Sequence, residues 1–76
     1  MSLRKQWRSL DRATIGSAPE RYGVYELGDA EGNVVDAGAG FLPDELREAF
    51  AYGEATSVRW TAANSEEHAE RLLEDL

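Results

Sequence analysis

The chain has 76 residues, 42% of them hydrophobic, and it contains no cysteine. This length allows one small domain with a modest core, and the absence of cysteine excludes disulfides, thiolate zinc sites and thiol catalysis. Fifteen acidic and eight basic residues give a net charge of −7. Residues 22–76 alone carry a net charge of −10, from three basic and thirteen acidic side chains, which opposes nucleic-acid binding unless salt or a metal intervenes.

The basic residues are almost all arginine, because Lys5 is the only lysine. An acidic, lysine-poor composition is typical of a halophilic cytoplasm, such as that of haloarchaea, where molar salt screens the repulsion between carboxylates. An ordinary acidic protein is the alternative. No apolar run approaches the roughly 20 residues of a membrane span, and the start MSLRKQWRSL lacks a signal peptide's apolar stretch. We therefore expect a cytoplasmic protein that does not contact membranes.

Residues 1–19 form a predicted basic leader. Residues 1–21 carry five basic and two acidic side chains, whereas residues 22–76 carry three basic and thirteen acidic ones. Leu3 and Trp7 begin a helical spacing, so residues 3–11 are predicted as a short amphipathic helix or a partly ordered segment. The leader side chains that could bind nucleic acid or an acidic partner are Arg4, Lys5, Trp7, Arg8 and Arg12.

A β-hairpin is predicted after the loop IGSAPERYG. The stretches YGVYEL and NVVDAGAG have the composition of strands, and the residues between them, 28–32, favour a turn. Gly23 and Gly38 lie inside these strands. A strand glycine either lets another group approach the backbone or marks a bulge or tight twist, and the sequence leaves both explanations open.

The second half of the chain predicts a helix, a strand and a helix. Pro43 suits the first turn of a helix over residues 42–52, and Gly53 suits its C-terminal cap. The stretch TSVRWTAA alternates like a half-buried strand, with Trp60 on the apolar face. Asn64 or Ser65 can cap a last amphipathic helix. We therefore predict an α+β domain over residues 20–76 with a small three-stranded sheet in the order β-β-α-β-α.

This order and the motif Gly23, Val24 and Tyr25 within APERYGVYEL carry a family resemblance. Residues 19–76 resemble the GIY-YIG nuclease domain, which is named after motifs on its two hairpin strands. The second motif stands here as Asp36, Ala37 and Gly38, so aspartate occupies the tyrosine position.

The resemblance implies phosphodiester hydrolysis with one divalent metal, Mg²⁺ or Mn²⁺, held by a glutamate of the last helix. Tyr25 matches the first tyrosine near the attacking water, and Arg47 matches the helix arginine that binds the phosphate. Asp36 replaces the second tyrosine. The position that corresponds to the family's metal-binding glutamate is occupied by Leu73. Glu70 or Glu74 would therefore hold the metal only if the last helix were shifted relative to the family's sequence pattern. Without catalysis no cofactor is expected.

Three functions remain open from the sequence. The first is a GIY-YIG-fold domain that has lost nuclease activity and acts as a binding or interaction module, with a protein partner. The second is a metal-dependent nuclease of that fold, with Asp36 recruited as a ligand. The third is an acidic partner protein that docks through its basic leader. Tyr25 and Arg47 could also have purely structural roles, in which Tyr25 is a core aromatic residue and Arg47 pairs with neighbouring acidic side chains. The chain is expected to be a monomer or a homodimer.

Overall fold

The computed structural model describes residues 3–76, which form one antiparallel sheet and its covering helices. Within these residues, four strands lie in the order β1-β4-β2-β3, and every neighbouring pair is antiparallel. The predicted small α+β domain and its central hairpin are confirmed. In chain order the elements are β1 (Arg8–Ser9), α1 (Arg12–Gly16), β2 (Tyr22–Gly28), β3 (Val34–Phe41), α2 (Leu42–Tyr52), β4 (Ser57–Ala62) and α3 (Glu66–Glu74).

The sheet has a fourth strand that the three-stranded prediction lacked, and this strand comes from the basic leader. Arg8 pairs with Val58 of β4, and the Leu10 amide donates to the Thr56 carbonyl at 2.9 Å. The leader is therefore part of the sheet rather than an appendage to it. Met1 and Ser2 of the predicted leader lie outside the described residues.

Residues 3–11 do not form the helix that their spacing predicted. The only helix of the leader region within residues 3–76 is α1, which begins where the Asp11 carboxylate accepts the Thr14 amide at 2.8 Å. Leu10 joins the core beneath α1 and α2, whereas Trp7 packs on the opposite side of the sheet against Gly28. Residues 8–10 run in extended form along β4, and side chains three residues apart on an extended chain point to opposite faces of the sheet. The helical spacing of Trp7 and Leu10 therefore reflects two separate packing sites.

Helix α2 has the predicted bounds. Of the two candidate N-terminal caps of α3, Asn64 and Ser65, the structure shows Ser65. Pro43 lies in the first turn of α2, and Gly53 is its C-terminal cap. The Ser65 hydroxyl accepts the His68 amide at 3.1 Å. No helix in the described part of the chain is long and apolar enough to cross a membrane.

The sheet has two covered faces, which we call the α2 face and the α3 face. The α2 face carries the main core, which consists of Leu10, Ile15, Leu27, Leu46 and Val58. Strand alternation points Val24 and Glu26 to the opposite face, where both are buried. Helix α3 packs against β2 and β3 and buries Ala69, so it covers the Val24 end of that face. The N-terminal segment covers the Glu26 end.

Candidate functional site

Tyr25 and Asp36, the two hairpin residues predicted for catalysis, lie close together on the α2 face. In the hairpin register, Tyr25 pairs with Gly38 and Asp36 pairs with Leu27. Both side chains line a cavity of about 280 Å³ between the hairpin and α2. The residues lining this cavity are Tyr25, Leu27, Asp36, Glu45, Glu48, Ala49, Tyr52 and Gly53.

The two strand glycines are sites of close approach. A Cβ atom at Gly38 would lie 2.7 Å from Cζ of Tyr25, so the ring occupies the space of a side chain. A Cβ atom at Gly23 would lie 2.6 Å from the Thr61 carbonyl oxygen. The irregularity in the hairpin ladder falls elsewhere, between Leu27 and Gly28. Of the two explanations that the sequence left open, close packing therefore applies to both glycines.

The hydroxyl of Tyr25 is held as a hydrogen-bond donor. It donates to Oε1 of Glu45 at 3.0 Å. Burial raises the pKa of Tyr25 far above its usual value, and the hydrogen bond to Glu45 and the charges of Glu45, Asp36 and Glu48 raise it further. Tyr25 is therefore a neutral phenol beside three carboxylates. Without a cation between them, these carboxylates repel a phosphate, and the neutral phenol cannot act as a base near neutral pH.

Arg47 points away from this cavity. Its guanidinium lies 3.5 Å from the Asp44 carboxylate, and both side chains are about two-thirds exposed. Arg47 instead lines a groove between α1 and α2, so it does not join Tyr25 and Asp36 in one site.

Glu70 and Glu74 are exposed on α3, across the sheet from Tyr25. Between residues 3 and 76, no three carboxylate or imidazole side chains lie close enough together to hold a metal ion. The proposed metal ligands and the two hairpin residues are thus on different faces.

The leader side chains are spread over both faces and the β1 edge. The ring of Trp7 packs against Gly28, and the Arg59 guanidinium lies over that ring at 4.0 Å. Arg8 lies over the ring of Trp60 at 5.1 Å. Arg4, Lys5, Arg8 and Arg12 are exposed. Four of the five predicted binding residues are therefore accessible, whereas Trp7 is half-buried in the fold.

Sequence reasoning missed a buried ion pair on the α3 face. Nε of Arg59 lies 2.9 Å from Oε1 of Glu26, and these side chains are only 13% and 4% exposed. The Leu3 amide also donates to Glu26 Oε1 at 2.9 Å, and the Arg59 guanidinium donates to the Lys5 carbonyl at 3.1 Å. The available signal was an acidic residue inside one predicted strand and a basic residue inside another. Whether the two pair depends on the order of the strands in the sheet.

A second feature that sequence reasoning missed is a surface groove of about 570 Å³ between α1 and α2. We call it the α1–α2 groove. Its lining combines two arginines with apolar and small residues, and Phe50 is 42% exposed there. The lining residues are Arg12, Ile15, Gly16, Arg47, Phe50 and Ala51.

Comparison with known proteins gives one result. The model of a family described as a domain of unknown function, DUF7508, matches residues 1–76. No curated protein and no solved structure matches the chain.

Proposed function

The chain belongs to the DUF7508 family, and we propose that it is a non-catalytic binding or interaction module with a GIY-YIG-like fold. The fold resemblance is supported by the order β2-β3-α2-β4-α3 around an antiparallel hairpin. It is also supported by the pairing of Tyr25 with Gly38, which brings the two motif positions together. The acidic, lysine-poor composition supports a halophilic cytoplasm as its setting.

One observation carries the non-catalytic part of the proposal: the residues that phosphodiester hydrolysis would require are dispersed. Hydrolysis needs positive charge at the phosphate and a base near the attacking water. Tyr25 and Asp36 are surrounded by carboxylates, Arg47 pairs with Asp44 outside their cavity, and Glu70 lies on the other face. The fold is retained in this interpretation, while the charges that would bind a scissile phosphate are not assembled.

An NMR titration combined with a cleavage assay tests this proposal. The ¹⁵N-labelled protein in molar KCl receives Mn²⁺ and then a short DNA duplex. We expect paramagnetic broadening scattered over exposed carboxylates and an intact duplex. Broadening centred on Tyr25 and Asp36, with cleavage that Asp36→Asn abolishes and the exposed-turn variant Glu31→Gln keeps, would establish the nuclease alternative instead.

A second candidate function, docking through the basic N-terminal segment, is favoured by the stacking of Arg8 on Trp60. This contact displays a cation and an aromatic ring at the β1 edge, where Lys5 is also exposed. Such a combination suits an acidic surface or a nucleic-acid strand. Titration with a single-stranded DNA oligonucleotide should quench Trp60 fluorescence, and Arg8→Ala should weaken the effect. An unchanged signal with the native chain would remove nucleic acid as the ligand of this segment.

A further inference from the structure

The α1–α2 groove combines an apolar floor with positive flanks. Ile15 is buried at its base and Phe50 leaves 42% of its surface exposed. Arg12 at the start of α1 and Arg47 on α2 line the same groove. An exposed phenylalanine in a groove that two arginines also line is the kind of contact that anchors a partner side chain at an interface.

The charge at this groove is opposite to that of the chain as a whole. The protein carries a net charge of −7, yet the charged side chains lining the groove are both arginines. A ligand that is acidic and apolar matches the groove and is repelled by the carboxylates that dominate the rest of residues 22–76. Charge complementarity therefore favours an acidic ligand for the groove.

We propose that the α1–α2 groove binds an acidic segment of a partner protein, with one apolar side chain against Phe50 and carboxylates at Arg12 and Arg47. This rests on the proposed function as an interaction module and names its partner's chemistry. A protein segment fits better than nucleic acid, because a few carboxylates beside an apolar residue match two arginines. A polyanion would extend over the acidic surface around them.

The ion pair between Arg47 and Asp44 allows one substitution that should strengthen peptide binding and another that should weaken it. At 3.5 Å and with both partners about two-thirds exposed, this pair is weak and competes with a ligand carboxylate for the same guanidinium. Removing Asp44 should therefore strengthen binding, whereas removing Arg47 should weaken it.

The experiment uses NMR shift mapping on the full chain, at the lowest KCl concentration at which it is folded. The probe is a short, end-capped synthetic peptide with one phenylalanine flanked by aspartates, and the control peptide has asparagines in their place. We expect shifts at Ile15, Arg47 and Phe50 with the acidic peptide alone. Asp44→Asn should tighten and Arg47→Ala should loosen binding, each by roughly twofold to fivefold.

Two matched variants separate the groove from the general surface. Arg71 is an equally exposed helical arginine paired with Glu67 on α3, so Arg71→Ala should leave binding unchanged. Tyr52 is an exposed aromatic residue of α2 outside the groove lining, so Tyr52→Ala should have little effect while Phe50→Ala abolishes the shifts.

The proposal is overturned if the acidic peptide leaves the groove amides unshifted or if Arg71→Ala weakens binding as much as Arg47→Ala. It is also overturned if a single-stranded DNA oligonucleotide shifts these amides and the peptide does not. A silent groove with an intact duplex in the Mn²⁺ titration would refute this site and leave the non-catalytic module standing. Metal-dependent cleavage would refute the module itself.

Discussion

The ring of Tyr25 lies over the α carbon of Gly38, its partner across the hairpin, and fills the space that a side chain at position 38 would need. The same ring carries the hydroxyl that donates to Glu45 on α2. This one contact therefore connects both strands of the hairpin to the helix that covers them.

Gly38→Ala should destabilise the domain by about 1–3 kcal/mol, because the added methyl group would overlap the Tyr25 ring. In a Tyr25→Ala background the same change should cost much less, so urea unfolding of the four proteins should give a clear coupling energy. Gly16→Ala is the matched control, because nothing lies within 4 Å of its added methyl group. Equal effects of Gly38→Ala with and without the ring would contradict the packing explanation.

Glu26→Ala should be among the most damaging single changes, with a loss of about 3–5 kcal/mol in the free energy of unfolding. It would leave the Arg59 guanidinium without its carboxylate in a largely buried position and remove the acceptor of the Leu3 amide. Removing the exposed pair of Arg71 and Glu67 by Arg71→Ala should cost less than about 1 kcal/mol. Denaturant titrations at fixed KCl measure the free energy of unfolding of both variants. Similar losses would show that the buried pair contributes no more to stability than the exposed one.

Alkaline pH should destabilise the native chain more than a Tyr25→Phe variant. Burial and neighbouring carboxylates raise the pKa of Tyr25 above its usual value of 10.0, so the folded state keeps a proton that the unfolded chain releases. The resulting stabilisation is complete below about pH 10 and is lost as the pH rises beyond it. Urea unfolding at about pH 9 and pH 11 measures the slope of stability with pH. Equal slopes for both proteins would refute this role of Tyr25.

Rising KCl concentration should increase the stability of the chain. Thirteen acidic side chains against three basic ones in residues 22–76 repel one another at low ionic strength, and salt screens this repulsion. Far-ultraviolet circular dichroism and thermal unfolding from low to molar KCl test the halophilic interpretation. A melting temperature that does not change over this range would argue for an ordinary acidic protein.

Elements with strong local signals could be predicted from the sequence. Helix α2 has Pro43 near its start and Gly53 at its end, and β4 alternates so that Val58 and Trp60 share the core face. These features depend on residues close together in the chain, so periodicity and capping rules locate them.

The remaining features depend on contacts between distant residues. Strand β1 has only two residues, and its partner Val58 lies far along the chain, so no local pattern reveals it. Glu26 resembles a solvent-facing strand residue until Arg59 is placed beside it. Arg47 was matched to the helix arginine through the GIY-YIG resemblance, but the position of α1 relative to α2 determines which surface it lines. The hairpin part of the candidate site was therefore predictable, and the helix part was not.

The pairing of β1 with β4 also has a consequence for the order of folding. Joining Arg8 to Val58 closes a loop that contains most of the domain, and closing a long loop has an entropic cost. We therefore expect the β1–β4 pairing to form after the other strands have assembled. The same pairing should open first under native conditions, and the Leu10 amide should exchange its hydrogen before those of β2. Because Leu3 and Trp7 belong to this segment, each opening would admit water to Glu26 while the rest of the sheet stays folded.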